Sequence, residues 1–303
     1  MSKKTKQEWK VGEVYKYVIY ETKGQIARIT MNKPETLNAF GWLGRAEDAR
    51  DFWSALDKAT EDDDIKVIII RGSGRAFGVG NDLNLVGFVY GMGIGRPGEK
   101  RVGQFKRLKV DRANFYDDEI KLLLCPKITI AQIHGYCLAG ALSKAVSCDL
   151  AIASNDASLG YPEQRLSTAG AGSPSMIKLI SSVGMTRALD LLLTGRFING
   201  KEAERIGLVT KAVPLDKLEK TVDNMAQAMC SHSRDAIAIG KAHRHLIYDT
   251  LGITSGFAQS YLIHTLGTNI HFEPGETSFF KDRRDKGVKT AFQGRDGHFK
   301  GLV

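Results

Sequence analysis

Cysteine is scarce in this sequence. Only four cysteines occur in 303 residues, none of them in a C-x-x-C pair, and the seven histidines are not clustered. Disulfide frameworks and zinc sites need such groupings, so neither is indicated and no metal is expected. The cysteines lie in or beside apolar runs, and we expect buried, reduced thiols at Cys125, Cys137, Cys148 and Cys230.

Long hydrophobic runs are also missing. No run reaches the length of a membrane span, about eighteen apolar residues, and residues 1–10 lack the apolar stretch of a secretory signal. The composition, 43% hydrophobic and 25% charged, is that of an ordinary globular protein long enough to bury a sizeable core. We expect a cytoplasmic protein with a frayed segment over residues 1–12.

Basic residues outnumber acidic ones by 43 to 34, which gives a formal net charge of +9. This balance suits an anionic ligand, but it is also common in proteins that need only solubility. Positions 96 to 112 contain seven basic residues and two acidic ones. This stretch is either an anion-binding segment or a solvated loop. The stretch lacks the interleaved aromatic residues of single-strand nucleic-acid binding, which is therefore not expected. The basic residues are Arg96, Lys100, Arg101, Lys106, Arg107, Lys109 and Arg112.

Apolar periodicity predicts alternating strands and helices in the first half of the chain. The predicted elements are a hairpin of Val14–Tyr20 and Ile26–Thr30, a helix over Ala46–Thr60, and strands at Lys66–Ile70 and Ile128–Ile133. This order indicates a crossover-connected α/β core. A long loop, first glycine-rich and then basic, is predicted from Leu85 to Asp118, with a helix beginning near Phe105. Helical patterns then dominate Ala188–Leu193, Lys201–Ile206, Leu215–Cys230, Arg234–Asp249 and Ser255–Thr268.

Two glycine-bearing turns are the main indication of catalytic chemistry in the sequence. They are Gly78-Val79-Gly80-Asn81-Asp82 and His134-Gly135-Tyr136-Cys137-Leu138-Ala139-Gly140-Ala141, and each follows an apolar, strand-like run. Both turns can offer backbone N–H groups to an anion, although each also fits an ordinary tight turn. Two such donors meeting one carbonyl oxygen would stabilise an enolate, and Glu163 lies just downstream as a group that moves protons.

Six segments give the chain its resemblance to the crotonase, or enoyl-CoA hydratase/isomerase, superfamily. The resemblance implies an α/β fold, a crotonase-like spiral of ββα units with a C-terminal helical trimerisation region. It divides the chain into an acyl-CoA-binding core over residues 13–210, with 85–118 as an insertion, and a helical oligomerisation and active-site-covering region over 211–303. The segments are Lys33–Phe40, Gly74–Leu83, His134–Gly140, Cys148–Ala153, Leu159–Glu163 and Thr194–Ala203 with Gly207–Val209.

The resemblance also implies site residues. The backbone N–H groups of Asn81 and Gly140 would form an oxyanion hole, and Glu163 would carry the proton, with its pKa raised toward neutrality by an apolar pocket. No metal or redox cofactor is implied, because coenzyme A arrives as part of an acyl-CoA thioester substrate. The other residues assigned to substrate binding are Ala39, Gly80, Asp82, Leu83, Asn84, Tyr261, Phe292 and Lys300.

The chain departs from the typical hydratase pattern at two positions. Ser143 stands where hydratases carry a second glutamate, and Asn84 replaces a lysine that contacts coenzyme A. Ser143 can hold a water or a substrate hydroxyl, or can simply pack, but without a neighbouring base it cannot take a proton at neutral pH. The basic stretch 96–112 is one replacement for the missing lysine contact.

Further features bear on the acyl group and on assembly. One-glutamate relatives include enoyl-CoA isomerases and hydroxycinnamoyl-CoA hydratase-lyases, which pair a serine with the later glutamate as this chain does. Tyr261, with His264 one turn along, is in rough register with a phenol-binding tyrosine of the lyases, or is a packing residue. Phe292, Phe299 and Lys300 fit a pattern in which a neighbouring subunit closes the nucleotide site.

The sequence therefore predicts an acyl-CoA-processing, enoyl-CoA hydratase-like lyase. Isomerisation, hydroxycinnamoyl-CoA cleavage and ring-cleaving hydrolysis of an acyl-CoA remain alternatives, as does a non-catalytic RNA-binding protein of the same fold. Retention of Glu163 and of both turns argues against that last reading. A homotrimer or dimer of trimers is expected, and the sequence leaves the acyl group and the choice between the two assemblies open.

Overall fold

Two sheets form the centre of the protein. The computed structural model describes residues 8–41, 47–84, 103–166, 176–267 and 272–301. Its strands are β1 (Lys10–Val14), β2 (Val18–Lys23), β3 (Ile26–Met31), β4 (Val67–Gly72), β5 (Ala76–Gly78), β6 (Ile128–Ile133), β7 (Tyr136–Leu138), β8 (Leu150–Ser154), β9 (Ser158–Gly160), β10 (Ile198–Asn199) and β11 (Lys211–Val213). One sheet has the order β1-β2-β3-β4-β6-β8-β11, and the other has the order β10-β9-β7-β5.

The strands form a repeated pattern along the chain. β4, β6 and β8 are parallel neighbours in the large sheet, and each is followed directly by a short strand, β5, β7 or β9, of the small sheet. The long strands read as nearly continuous apolar runs because both of their faces are buried, as parallel strands usually are. Each pair thus delivers a turn between the two sheets at the same end of the fold.

Helices cover the sheets and fill the C-terminal third. They are α1 (Glu47–Glu61), α2 (Gln104–Arg112), α3 (Glu119–Leu123), α4 (Gly140–Ser147), α5 (Met176–Val183), α6 (Met185–Thr194), α7 (Gly200–Arg205), α8 (Leu215–Met229), α9 (Arg234–Thr250), α10 (Ile253–Gly267), α11 (Phe279–Lys286) and α12 (Val288–Gly297). The helices and strands predicted from periodicity all occur, most of them within two residues of the predicted bounds. In the described residues, no helix combines the length and the apolar character that crossing a membrane requires.

The large sheet is buried on both faces. Ile68 and Ile70 of β4 point into a core shared with α1 and α4, whereas Val67 and Ile69 point to the opposite face and pack against α8. This alternation follows from the two-residue period of a strand. All four cysteines are buried and reduced, which confirms the expectation for these thiols.

The predicted first strand differs from the observed one. Residues from Lys10 to Val14 pair with β2 as a separate strand, and the chain leaves the ladder before β2 begins at Val18. The break has a local cause, because the N–H of Tyr17 donates to Asp51 Oδ2 at 2.9 Å and its carbonyl accepts from Asn32 N at 2.8 Å. Part of the segment expected to be frayed, residues 1–12, thus lies in β1.

Two other boundaries differ in detail. β11, residues 211–213, pairs with β8, so the sheet continues just beyond the boundary drawn at residue 210. Most of the predicted long loop, residues 85–102, lies outside the described residues and includes Arg96, Lys100 and Arg101. Its described end forms α2 and a π-helical turn, Ala113–Asp117, and here Arg107 is buried rather than presented to a ligand.

Candidate active site

The first glycine-bearing turn is fixed by an isolated bridge between Phe40 and Asn81. The N–H of Phe40 donates to Gly80 O at 2.8 Å, and the N–H of Asp82 donates to Phe40 O at 2.7 Å. Because Phe40 makes both bonds of this parallel bridge, the N–H of Asn81 points away from it. Gly80 has φ +81°, a conformation that residues with a Cβ rarely adopt.

The second turn places the start of a helix beside the small sheet. Ala139 donates its N–H to Gly160 O at 2.9 Å, and α4 begins at the next residue, Gly140. Ala139 has φ 53° and ψ −131°, a sparsely populated conformation of the kind that concentrates at functional sites. The first N–H groups of a helix have no acceptor within it, so the N–H of Gly140 is available to a ligand.

The two turns contact each other closely. A Cβ built on Gly80 would lie 2.9 Å from Gly140 N and 2.8 Å from Ala139 Cβ. A Cβ on Gly140 would be 3.9 Å from Gly80 Cα, so this glycine leaves room for a ligand on the same side. The backbone donors of Asn81 and Gly140 are therefore neighbours, and both residues line one pocket.

Glu163 lies in a short 3-10 turn, Pro162–Leu166, that follows β9. Gly160 at the end of β9 pairs with Leu138, so the turn begins at the strand end beside Gly140. Glu163 as a whole residue is partly exposed, but its Oε2 atom is buried. The pKa depends on the surroundings of the carboxyl group rather than on the exposure of the whole residue. Burial raises the pKa of Glu163 from its ordinary 4.5 to about 7, the direction expected for a carboxyl in an apolar pocket.

The pocket has a volume of about 60 Å³ and lies against the two turns. Ser143, one turn into α4 and almost fully buried, is part of its wall. Among the described residues, neither Glu163 nor Tyr261 is part of that wall. The residues that line it on the side of the turns and α1 are Phe40, Phe52, Trp53, Asn81, Gly140 and Ser143. A wider depression of about 490 Å³ lies elsewhere, beside Lys23 and α8, and its charged lining does not suit an acyl group.

A buried ion pair, which sequence reasoning missed, completes the wall. Lys144 Nζ lies 2.5 Å from Glu119 Oε1, and both side chains are about nine-tenths buried. The ammonium also lies over three aromatic rings of the pocket, 4.5 Å from the centroid of Phe40, 5.2 Å from that of Trp53 and 6.0 Å from that of Phe52. A signal was present in the sequence, because Lys144 is the one charged residue in the helix Gly140–Ser147, which is otherwise made of small and apolar residues.

The wall opposite the turns is rich in hydrogen-bond acceptors. The pKa of Asp118 is raised from 3.8 to about 6, mainly by burial, with Lys121 opposing the shift and Glu119 adding to it. Glu119 Oε2 and Asn114 Oδ1 are buried, and no described residue donates a hydrogen bond to either. The amide of Asn114 is oriented by its own Nδ2, which donates to Val110 O at 2.7 Å.

The other residues predicted near the first turn have mainly structural contacts. Ala39 is buried next to Phe40. Asp82 Oδ1 accepts from the backbone N and the side-chain Nδ2 of Asn84, at 2.9 and 3.0 Å, so these two residues hold each other. Leu83 packs into the C-terminal cluster, and its carbonyl accepts a hydrogen bond from Arg283.

The predicted C-terminal residues lie away from the pocket in this chain. Tyr261 of α10 faces Tyr116 with ring centroids 6.5 Å apart, and His264 contacts Phe115, a pocket residue, at 4.1 Å. Phe292 packs on Phe279 at 5.4 Å, and Lys300 is exposed. Helices α11 and α12 thus cover Leu83 and Leu166, which flank the first turn and the turn of Glu163.

Comparisons with known proteins identify the family of this chain. A family model described as enoyl-CoA hydratase/isomerase matches residues 21–287. The chain is 30% identical over 272 residues to a "probable enoyl-CoA hydratase, mitochondrial" of Dictyostelium discoideum, covering 87% of each chain. It is 31% identical to the "probable enoyl-CoA hydratase echA8" of Mycobacterium bovis, covering 73% of this chain and 80% of that protein.

Solved structures give the same result for the fold. An enoyl-CoA hydratase/isomerase from Xanthobacter autotrophicus Py2 superposes with a TM-score of 0.78 at 29% identity, covering 94% of this chain and 99% of that one. An enoyl-CoA hydratase from Mycobacterium smegmatis superposes with a TM-score of 0.79 at 26% identity, covering 93% and 94%. The predicted crotonase fold is thereby confirmed.

Proposed function

Because this chain belongs to the enoyl-CoA hydratase/isomerase family, we propose that it adds water across the double bond of a short 2-enoyl-CoA thioester. The observation that carries the proposal is the contact between the two turns. It sets the backbone donors of Asn81 and Gly140 side by side, next to the strand end from which the turn of Glu163 starts, and the pKa of that carboxyl is raised to about 7. Such donors match the charge that develops on a thioester oxygen, and each is typically worth about 3–4 kcal/mol in the transition state.

The proposed reaction uses one carboxylate. Ionised Glu163 takes a proton from water as the water oxygen forms its bond to C3. The electron pair of the C2–C3 double bond moves toward the thioester carbonyl, whose oxygen is held by the N–H groups of Asn81 and Gly140. Glu163 then returns the same proton to C2 and is ionised again, so atoms and charge balance and no second acid is needed.

Ser143 has a positioning role in this scheme. Its side chain lies one helical turn from Gly140 and faces the pocket, where a hydroxyl both donates and accepts hydrogen bonds. It orients the attacking water but removes no proton itself, because a neutral serine hydroxyl is not a base at neutral pH. The same Glu163 would move a proton between C2 and C4 in an isomerisation, which is the second candidate reaction.

The pocket size bears on the alternatives with aromatic acyl groups. A cavity of about 150 Å³ is known to hold a benzene ring, and the described walls here enclose about 60 Å³. A short aliphatic acyl group therefore fits this site better than a hydroxycinnamoyl group does. For the phosphates of coenzyme A we assign the exposed Lys106 and Lys109 of α2, because Arg107 between them is buried.

We also propose assembly into a homotrimer or a dimer of trimers. Several large apolar side chains of α9 and α10 are exposed in the single chain, including Ile239, Leu246, Leu262 and Leu266. Contiguous exposed apolar surface is typical of protein–protein interfaces. Burial of these side chains between subunits would remove their contact with water.

Hydration of crotonyl-CoA tests the proposed function. We expect wild-type protein to consume the enoyl thioester, and Glu163→Gln to lower kcat by about 10²–10⁴-fold, the usual contribution of a general base. In the wild type, kcat/KM should rise with pH through about 7, because the ionised carboxylate is the active form. Glu61→Gln, an exposed residue at the end of α1, is the matched control. Turnover by Glu163→Gln within a few-fold of wild type would overturn the proposal.

A further inference from the structure

The wall of the pocket opposite the turns contains a π-helical turn with a specific consequence. In an α-helix, residues five apart are rotated by about 140° and face different sides. The turn Ala113–Asp117 closes with a bond from Asp118 N to Ala113 O, five residues back, so that residues five apart lie on one face. Asn114 and Glu119 are five apart, and both line the pocket.

Each of these residues presents an acceptor atom that receives no hydrogen bond from the residues the structure describes. Glu119 is 6% exposed; its Oε1 accepts from Lys144 Nζ, and its Oε2 is buried with no donor among the residues described. Asn114 Oδ1 is likewise buried and receives no hydrogen bond from a described residue. The Nδ2 of the same side chain donates to Val110 O. A buried acceptor without a donor is unfavourable, and most native structures satisfy nearly all such groups.

Charge decides which kind of donor fits. Lys144 already supplies a positive charge to Glu119, and its ammonium lies in the same pocket wall. A ligand ammonium would be repelled by it at short range. A hydroxyl group carries no charge and can donate to Glu119 Oε2 or to Asn114 Oδ1.

We propose that the pocket selects acyl groups that carry a hydroxyl at their far end, with Glu119 Oε2 accepting its hydrogen bond and Asn114 Oδ1 as the alternative acceptor. This inference rests on the proposed function in one respect, namely that the thioester oxygen binds at Asn81 and Gly140 of the same pocket. With a volume of about 60 Å³, the pocket holds only a few heavy atoms beyond the thioester. The substrate class is therefore short hydroxyacyl-CoA or hydroxyenoyl-CoA thioesters.

Water bound in the pocket sharpens the selection. In the absence of acyl-CoA, waters can hydrogen-bond to the two acceptors. A hydroxyl that displaces such a water replaces its hydrogen bond, whereas a methyl group in the same place leaves the acceptors unsatisfied. A hydrogen bond to a charged group contributes about 1.5–3 kcal/mol, which corresponds to roughly a 10- to 100-fold difference in affinity.

Calorimetric titration with a matched pair of ligands tests the inference. The pair is 4-hydroxybutanoyl-CoA and pentanoyl-CoA, which differ by a hydroxyl in place of a methyl and are saturated, so neither can be hydrated. We expect wild-type protein to bind the hydroxylated ligand roughly 10- to 100-fold more tightly. Equal dissociation constants, or tighter binding of pentanoyl-CoA, would overturn the inference.

Two variants show whether the named residues cause the preference. The double variant Glu119→Met/Lys144→Met removes both charges of the pair together, which proteins often tolerate, and should bring the ratio of dissociation constants to within twofold of one. Asn114→Ala leaves the ion pair intact and should lower the ratio at least threefold, so the test survives if the double variant does not fold. Glu61→Gln should keep the wild-type ratio, and a preference that persists in both pocket variants would contradict the assignment.

Binding and turnover separate the two proposals. A preference for 4-hydroxybutanoyl-CoA without hydration of crotonyl-CoA or its 4-hydroxy derivative would support the hydroxyl site and remove the proposed function. Hydration that depends on Glu163 without any preference between the saturated ligands would leave the proposed function standing and remove the hydroxyl site.

Discussion

Glu163 is costly to ionise in the folded protein. Its pKa is raised from 4.5 to about 7 by burial, so the folded state holds a proton that the unfolded chain releases between these two values. Stability must therefore fall as pH rises from about 4.5 to 7, since the unfolded state binds fewer protons over that range. One pKa unit corresponds to 1.36 kcal/mol, so the free energy of unfolding is lowered by about 3 kcal/mol above pH 7 and falls no further.

Glu163→Gln should remove this loss. We expect the variant to melt at nearly the same temperature as wild type near pH 4 and several degrees higher at pH 8, because glutamine is neutral at both. Thermal unfolding followed by circular dichroism at the two pH values measures the difference. Glu204→Gln, exposed on α7, should change neither value. An equal melting-temperature difference at pH 4 and pH 8 would show that the carboxyl is not the cause.

The sequence predicts some site residues far better than others. Glu163, Asn81 and Gly140 stand in motifs whose order along the chain carries the information, and the structure places the last two together. Glu119 and Asn114 escape prediction because they meet through a π-helical turn, and regular helical spacing would put them on different faces. Lys144 stands out in the sequence as the charged residue of α4. Its partner Glu119 is 25 residues away, and only tertiary packing brings the two together.

At the level of elements, the contact between the two turns is the feature on which the site depends. The first turn begins where β5 ends and the second contains β7, so their separation is set by the pairing of β5 with β7. The apolar runs of the sequence predict β4 and β6, the long strands that precede β5 and β7. The close approach of the two turns is not predicted, because it depends on the missing side chain of Gly80 and on the unusual backbone of Ala139.

Gly80→Ala tests that contact against a matched glycine. Gly80 and Gly184 have φ +81° and +80°, but a Cβ at Gly80 meets Ala139 and Gly140, whereas a Cβ at Gly184 meets nothing within 4 Å. Both alanine variants should lose about 1–2 kcal/mol of stability from the left-handed backbone. Only Gly80→Ala should also lower kcat, by roughly 10²-fold, because it displaces the backbone donors.

Steady-state kinetics with crotonyl-CoA, together with chemical denaturation, measures both effects. The two variants would then share a stability loss and differ in kcat. Equal kcat values in the two variants would contradict the role assigned to the turn contact.

For the whole molecule, the exposed apolar side chains of α9 and α10 favour association. Leu246 and Leu266 are each 65% exposed in the single chain. We expect wild-type protein to elute as a trimer or hexamer in size-exclusion chromatography with light scattering. Leu246→Asp/Leu266→Asp should shift the mass toward the monomer, since a charge in a buried interface is strongly unfavourable.

Leu215→Asp is the control for this shift. Leu215 is 54% exposed, and it lies at the first residue of α8, where an acidic side chain is favourable. The control should keep the wild-type mass. A monomeric wild type at micromolar concentration would contradict the proposed assembly, as would a double variant of unchanged mass.

The fold as a whole is more predictable than the substrate. Strand and helix positions follow from apolar periodicity, and the family follows from six ordered segments, three of which contribute Phe40, Asn81 and Gly140 to the pocket wall. In the proposed site, side chains from α3, α4 and the π-helical turn recognise the acyl group. No single sequence motif contains all of these side chains. The boundary near residue 210 shifted for a similar reason, because β11 is held by pairing with β8.

Exchange of the C2 hydrogens of butanoyl-CoA in D₂O tests the central claim most directly. This saturated thioester cannot add water, so exchange reports only proton transfer by Glu163 and stabilisation of the enolate by Asn81 and Gly140. We predict deuterium uptake at C2, followed by mass spectrometry, with wild-type protein and at least a 100-fold slower uptake with Glu163→Gln. No uptake with wild-type protein, or equal uptake by both proteins, would contradict the account.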